Sequence, residues 1–233
     1  MGPKVIVSYD DTANDRDALA LGRVFASAGA TVSLAYVRHT KESEHAQERL
    51  EEREAQALLE RGAQALGGNV QRHVVLSAST GEGLWQLAER ERADIVVFGS
   101  EYRTPVGRVS PGTSATRLLE GAPAAVALAP AGLRDRDSVQ VERIGLIPDD
   151  GDESAEETAK GLAARLGAKI ASSIDEPVDL LVVGSRPEAP EGRVMISASV
   201  EYAIENAFSP VLVVPRGVVL PFEPRRSPRL TTA

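Results

Sequence analysis

The chain has 233 residues, which is the size of one large domain or two small ones. Its 42% hydrophobic and 26% charged residues are typical of a globular protein, and only 4% aromatic residues predict an aliphatic core. The net charge of −8 argues against a general nucleic-acid binder. The absence of cysteine excludes disulfides, thiol catalysis and cysteine metal sites.

The sequence contains no signal for membrane insertion or export. No apolar stretch approaches the ~20 residues of a membrane span, and the N-terminus has no signal-peptide pattern. The three histidines have no metal-ligand spacing. We therefore expect a cytoplasmic protein with no membrane partner, no nucleic-acid partner and no resident metal.

Predicted strands and helices alternate along the first 130 residues. An apolar run over 5–9 predicts a strand that ends at Asp10, and Gly29 is suited to cap the helix that follows. Strands alternating with helices predict an α/β fold with a parallel sheet and helices on both faces. The further predicted segments are a helix over 14–28, a strand over 31–37, a helix over 42–66, a strand over 70–76, a helix over 83–92, a strand over 94–98, a helix over 114–120 and a strand over 124–129.

The alternation of predicted strands and helices is interrupted after residue 130 and resumes at residue 143. Residues 131–142 are mostly polar, contain glycine and predict a linker. A strand over 143–147 and a helix over 154–166 follow. The predicted division is a first domain over 1–130, a linker over 131–142, a second region over 143–217 and a flexible tail over 218–233, which contains three prolines and three arginines.

The second region repeats the end of the first. Residues 94–132 and 179–217 align without gaps at an offset of 85, and 14 of the 39 pairs are identical. This predicts an internal duplication. The starts of the two copies align at an offset of 139, so the second copy lacks about 54 residues. The link over 168–178 is too short for a parallel crossover, which predicts a short edge strand or a connector there.

A loop between a strand and a helix carries the strongest functional signal. Gly99 ends the apolar run over 94–98, and Gly112 and Thr113 stand just before the helix over 114–120. Such a loop is typical of an anion site, because the free N–H groups of a helix start point out of it.

On these residues the chain resembles the universal stress protein family. The ATP-binding branch of that family has Gly, two residues, Gly, nine residues, and then Gly-Ser or Gly-Thr. Gly99, Gly112 and Thr113 match that pattern, whereas Tyr102 replaces the second glycine. The resemblance covers 1–132 in full and 142–217 as a truncated copy. It implies a five-stranded parallel sheet of order 3-2-1-4-5.

The resemblance also implies a binding site for an adenine nucleotide, ATP or AMP, with Mg²⁺ accompanying ATP. In the implied sheet the strand order reverses between the first and fourth strands, where ligands bind. Asp10 and Gly99 both fall there. The roles implied are ribose binding by Asp10, adenine contacts by the backbone of Val37, close backbone approach at Gly99, and phosphate contacts by Gly112, Thr113 and Ser114.

Several of these residues have structural alternatives. Asp10 could cap the following helix together with Asp11 and Thr12, and Thr113 and Ser114 could cap the helix that they begin. Arg103 and Arg108 could reach phosphates or lie in solvent. Tyr102 disfavours a positive φ and fills space, so it could block triphosphate while tolerating AMP, or its loop could swing away.

The second region has lost most of the loop pattern. Gly184 survives there, but Pro187, Ser197 and Ala198 stand at the other three positions, and Pro and Ala lack the N–H and hydroxyl donors. Asp149 stands at the position of Asp10. We expect that this region binds no nucleotide. The resemblance implies dimerisation through the last strand, which predicts that residues 211–214 pair with residues 124–129 inside one chain.

Three functions follow from these features. The first is a stress-response regulator that binds an adenine nucleotide. The second is a nucleotide-free scaffold for an unidentified protein partner, and the third is a slow ATPase. No general base or metal cluster is evident at residues 99–114, so no catalytic residue is predicted. The chain is expected to be a homo-oligomer or an intrachain pseudo-dimer.

Overall fold

The computed structural model describes residues 2–39, 45–136, 139–148, 151–173 and 176–222. Its strands are β1 Lys4–Ser8, β2 Thr31–His39, β3 Gln71–Ser77, β4 Ile95–Gly99, β5 Ala125–Ala129, β6 Arg143–Ile147, β7 Lys169–Ile170, β8 Leu180–Val183 and β9 Val211–Val213. Its helices are α1 Ala13–Ser27, α2 His45–Ala65, α3 Thr80–Glu91, α4 Thr113–Leu119, α5 Ser154–Leu166 and α6 Ala198–Glu205.

All nine strands form one sheet in the order β3-β2-β1-β4-β5-β9-β8-β6-β7. The first half, β1 to β5, is parallel and has the predicted order 3-2-1-4-5. The second half, β6 to β9, is parallel within itself. The predicted α/β class with a mostly parallel sheet is therefore confirmed.

The inner strands are buried on both faces, because helices cover both sides of the sheet, whereas the edge strands β3 and β7 are partly exposed. Along β1, Val5 and Val7 belong to the core beneath α1, α2 and α5, whereas Ile6 belongs to the core beneath α3, α4 and α6. This alternation follows from the two-residue period of a strand. A sheet buried on both faces explains the continuous apolar runs in the sequence.

The two halves join through an antiparallel pair at the centre of the sheet. Val126 of β5 lies opposite Val213 of β9, and Leu128 lies opposite Val211. The predicted pairing of residues 211–214 with residues 124–129 inside one chain is thereby confirmed. This pair continues one sheet across the chain and leaves neither β5 nor β9 as an open edge.

Reciprocal hydrogen bonds reinforce that junction. Each bond in one direction has a counterpart whose residue numbers differ by 85. Such reciprocity is the property of an isologous, two-fold interface. The bonds run from Val109 N to Ala207 O (3.3 Å), from Val194 N to Ala122 O (2.9 Å), from Arg108 Nη1 to Asn206 O (3.2 Å) and from Arg193 Nη1 to Gly121 O (3.4 Å).

Among the described residues of the link over 168–178, one strand is present, and it has two residues. β7, Lys169–Ile170, pairs with the beginning of β6 at the edge of the sheet. Of the two alternatives predicted for this link, the structure contains the short edge strand. No helix follows β7 before β8 in the described residues, so the second half has one helix fewer than the first on each face.

The predicted linker is a packed segment. Leu133 is fully buried, and a short 3-10 helix runs over Leu133–Asp135. The buried carboxylate of Asp17 accepts hydrogen bonds from Gly132 N (2.9 Å), Arg134 N (2.8 Å) and Arg134 Nη1 (2.8 Å). A side chain of α1 therefore ties down the chain where it leaves β5.

The first part of the predicted flexible tail also packs against the core. Leu220 N donates to Thr158 Oγ1 (3.0 Å), and the Phe222 ring centroid lies 6.2 Å from that of Phe25. Leu220 and Phe222 are both buried. Residues 218–222 therefore belong to the core, contrary to the prediction, and residues 223–233 lie outside the described residues. The other predicted domain boundaries stay predictions.

Candidate functional site

The candidate site lies where β1 and β4 end side by side. Val5 to Val7 of β1 pair with Ile95 to Val97 of β4, so both strands end at the same edge. Asp10 follows β1, and Gly99 is the last residue of β4. The structure thus brings these two predicted residues to the reversal of strand order, where a crevice opens in sheets of this kind.

The turn between β1 and α1 is held by a capping box. Thr12 caps α1, because its hydroxyl accepts from Asp15 N. The carboxylate of Asp15 accepts in return from Thr12 N (3.1 Å) and Asp10 N (2.9 Å). The cap is therefore made by Thr12 and Asp15, and the carboxylate of Asp10 is left out of it.

The Asp10 carboxylate is poised at the crevice without a hydrogen-bond partner among the described residues. Partial burial raises its pKa, and the neighbouring carboxylates of Asp15 and Asp11 raise it further, while His39 opposes them. Asp10 keeps substantial exposure, so water can reach this carboxylate. Two ribose hydroxyls could donate to it in place of that water.

Asp11 has the opposite environment and holds the turn in place. Its backbone has a φ of 56°, in the left-handed region. Its carboxylate accepts from Tyr9 Oη (2.8 Å) and Arg61 Nε (2.9 Å), and these bonds lower its pKa. The same bond and burial raise the pKa of Tyr9 to about 12. Arg61 of α2 thus pins the strained turn that carries Asp10.

The backbone of Val37 is free toward the crevice. The carbonyl of Ala35 accepts from Tyr9 N (2.9 Å) and so points toward β1. Backbone groups alternate along a strand, so Val37 turns its N–H and C=O to the same side. The register of β1 with β2 ends at Ser8 and Ala35. The polar groups of Val37 therefore lie beyond the end of β1, as an adenine contact requires.

Gly99 is required by the packing of α1. A Cβ at Gly99 would lie 2.0 Å from the carbonyl oxygen of Asn14 in the first turn of α1. The Asn14 side chain also donates from Nδ2 to Ser100 O (2.6 Å). The close approach predicted at Gly99 is thus made by the protein's own helix, which locks the ends of β1 and β4 together.

The loop after Gly99 runs out toward the second half and returns. Glu101 N donates to Ser110 O (2.9 Å), and Ser110 N donates to Ser100 Oγ (3.2 Å). These bonds bring Ser110 back to the end of β4. Gly112 comes two residues later, within about 7 Å of Ser110 along the chain. The start of α4 therefore lies near the crevice.

Arg108 in this loop serves the junction between the halves. Its guanidinium lies 3.8 Å from the ring centroid of Phe208 and donates to Asn206 O. Neither predicted alternative for Arg108, a phosphate contact or a solvated side chain, describes this position. Arg103 lies instead beside the exposed ring of Tyr102, 5.0 Å from its centroid.

Tyr102 does not fill the crevice. Its side chain is 72% exposed, and its backbone lacks the positive φ that would favour glycine. The backbone of this loop has therefore adapted to tyrosine at the place where the family pattern has glycine. The Tyr102 ring, which could have blocked the phosphates, lies in solvent next to Arg103.

Gly112 differs from Gly99 in its surroundings. A Cβ at Gly112 would meet nothing within 4 Å, and its φ is −74°. No side chain caps α4 at Gly112, so the predicted capping bonds of Thr113 and Ser114 are absent from the described residues. The backbone N–H groups at residues 112–114 stay available.

Substitution by alanine should separate these two glycines. Gly99→Ala places a methyl group against the α1 backbone and should lower the free energy of unfolding by about 1–3 kcal/mol. Gly112→Ala should lower it by less than about 1 kcal/mol, because only the preference of the helix N-cap for glycine over alanine is lost. Urea denaturation of both variants measures the difference. Equal stabilities of the two would contradict the packing role of Gly99.

The loop of the second half has the same path but different chemistry. Ser185 Oγ donates to Val214 O (2.7 Å), as Ser100 Oγ donates to Ala129 O (2.7 Å). In this half Ser197 caps α6 by accepting from Val200 N (3.3 Å), so its hydroxyl serves the helix. Asp149 lies outside the described residues.

Asn14, Asp15 and Arg61 shape the site, and they were not predicted. Asp15 stands three residues after Thr12, a spacing that signals a capping box. No local pattern marks Asn14 or Arg61, because their partners are 86 and 50 residues away. In the part of the chain that the structure describes, no group of three or more His, Asp or Glu side chains could hold a metal ion.

Comparisons with known proteins agree with this architecture. The universal stress protein from Archaeoglobus fulgidus has a TM-score of 0.67 and 15% identity, covering 92% of this chain and 98% of its own. A putative universal stress protein from Pseudomonas aeruginosa has a TM-score of 0.60 and 16% identity, covering 91% and 92%. At these identities the likeness concerns the fold alone.

Three further findings concern curated relatives, membrane spans and the family profile. A search of curated proteins gave no match. No helix among the described residues is long and apolar enough to cross a membrane. The sequence profile of the universal stress protein family matches residues 1–130, which is more than half of the chain. The chain therefore belongs to the universal stress protein family.

Proposed function

We propose that the chain binds one adenine nucleotide, ATP or AMP, at the carboxyl ends of β1 and β4, and that it acts as a stress-response regulator in the cytoplasm. Asp10 holds the ribose, the backbone of Val37 contacts adenine, and residues Gly112, Thr113 and Ser114 contact the phosphates. Mg²⁺ accompanies ATP. The second half binds no nucleotide.

The observation that carries this proposal is the Asp10 carboxylate. It is exposed at the end of β1, it is excluded from the cap that Thr12 and Asp15 make, and no described donor reaches it. A ligand with paired hydroxyls would satisfy it with charge-assisted hydrogen bonds. The open start of α4 at Gly112 supports phosphate binding at the other end of the crevice.

Direct detection of the ligand tests the proposal. Mass spectrometry after acid release from the purified protein should detect AMP or ATP, and calorimetric titration of the emptied protein should give one nucleotide per chain. An empty spectrum together with no heat from ATP or AMP would reject nucleotide binding. The nucleotide-free scaffold would then be the better description.

Replacing Tyr102 tests whether the altered loop position matters. Because the ring lies in solvent, Tyr102→Gly should change the affinity for ATP by less than about threefold. Calorimetry on this variant measures the change, with Arg103→Ala as a control for the neighbouring side chain. A tenfold gain in affinity would mean that the tyrosine obstructs triphosphate after all.

A further inference from the structure

The second half carries an apolar groove beside α6. The groove has a volume of about 770 Å³ and lies between α6 and the sheet strands β6 and β8. Tyr202 and Phe208 line the groove, and their exposed fractions are 69% and 63%. Its lining residues include Ile147, Val178, Leu181, Tyr202, Ala203 and Asn206.

The first half shows what covers the corresponding face. There α3 packs against α4, and Leu84, Leu87 and Ala88 of α3 are buried in one core with Ile6 of β1 and Leu118 of α4. This helix thus covers α4 together with β2 and β3, and it also reaches β4.

Individual contacts of α3 map onto the groove. Trp85 of α3 lies beside the guanidinium of Arg117 at 5.4 Å, and it lies 3.3 Å from the position of a Cβ at Gly121. At the offset of 85, Arg117 and Gly121 correspond to Tyr202 and Asn206 of the groove.

The core residues correspond in the same way. Leu118 and Val96, which α3 helps to bury, correspond at that offset to Ala203 and Leu181. The groove therefore corresponds to the part of the α3 seat that α4 and β4 make, and no helix lies between β7 and β8 in the described residues to fill it.

The charges around the groove favour a basic occupant. Glu176 lines the groove, and Glu201 and Glu205 are exposed on α6 outside its lining. In the described part of the chain, the one cation placed against lining residues, Arg108, is already engaged by the ring of Phe208 and by Asn206 O. No ion pair joins Glu201 or Glu205 to the described residues. A second copy of the chain would bring the same carboxylates together across a two-fold axis, which is unfavourable. A helix with lysine or arginine beside its apolar face would complement them.

We propose that this groove binds an amphipathic, basic α-helix of a partner protein in the position that α3 occupies in the first half. Leucine or alanine at i, i+3 and i+4 fills the groove, as Leu84, Leu87 and Ala88 do on α3. The groove is separate from the nucleotide site, so the proposal stands whether or not the chain binds nucleotide.

Fluorescence anisotropy with dye-labelled peptides tests the proposal. The probe is a helix of about 14 residues, or about four turns, with leucines on one face and lysines elsewhere. One control peptide has the same composition with its leucines scattered, and a second has glutamate in place of lysine. We expect saturable binding of the first peptide, at least about tenfold tighter than either control.

Variants of the chain locate the binding. Ala203→Arg inserts a cation into the groove and should weaken the probe at least about tenfold. Tyr202→Ser, a change at an exposed residue, should weaken it several-fold. Ala164→Arg, on the exposed side of α5, should have no effect. Circular dichroism melting checks that each variant is folded.

Three outcomes would overturn the proposal. The first is equal binding of all three peptides or no saturation, and the second is equal loss in Ala203→Arg and Ala164→Arg. The third is a concentration-dependent dimer, seen by sedimentation velocity, that Ala203→Arg dissociates, since a second copy would then occupy the groove.

Discussion

Asp10→Ala should lower the affinity for ATP about 100-fold, which corresponds to the loss of roughly 3 kcal/mol from hydrogen bonds to a charged group. The carboxylate is accessible and has no described donor, so the ribose hydroxyls would be its partners. Calorimetric titration with ATP measures the change. The fold should be unaffected, because Thr12 and Asp15 make the helix cap.

A nucleotide without ribose hydroxyls provides the sharpest control. The dideoxy analogue of ATP should bind the unaltered protein as weakly as Asp10→Ala binds ATP, and the variant should not distinguish the two ligands. Asp149→Ala is the matched change in the second half and should leave ATP binding unaltered. If Asp10→Ala weakened ATP and the dideoxy analogue equally, the carboxylate would not contact the ribose.

Asp17→Ala should lower the free energy of unfolding by about 3 kcal/mol. Asp17 is fully buried and accepts from Gly132 N, Arg134 N and Arg134 Nη1. Removing one partner of a buried ion pair costs about 3–5 kcal/mol. The lower value is expected because Arg134 keeps contact with water.

Thermal denaturation should show this loss as a drop of roughly 10 °C in the Tm. Asp135→Ala is a suitable control, because Asp135 is exposed and lies 3.8 Å from the same arginine. That variant should change the Tm by less than about 2 °C. A comparable drop in both variants would contradict the prediction that the hydrogen bonds of the buried Asp17 carboxylate stabilise the fold.

Local signals predicted the elements of this fold well. The apolar run over 5–9 and β1 agree, and the helix predicted over 154–166 matches α5. The glycine at residue 167 ends α5 with a φ of 72°, a conformation that favours glycine. These features depend on neighbours within a few residues, so the sequence order contains them directly.

Only part of the candidate site could be predicted from the sequence. Asp10 and Gly99 could be placed at the end of the sheet from the strand order that the family implies. The sequence could not show why residue 99 must be glycine, because the backbone that packs against it belongs to Asn14, 85 residues away in sequence. Arg108 was misassigned for the same reason, since its partners Asn206 and Phe208 lie across the central strand pair.

The sequence by itself determined the alternation of strands and helices, the repeat at an offset of 85 and the departure at Tyr102 from the glycine pattern, because each is a relation between residue types at fixed spacing. Only the tertiary structure decided that the Asp10 carboxylate is left without a partner, that the residue 99–114 loop joins the two halves, and that α6 borders an uncovered groove. All three features depend on contacts between segments that are distant in sequence. Those contacts form only when β5 and β9 pair and join the two halves into one sheet.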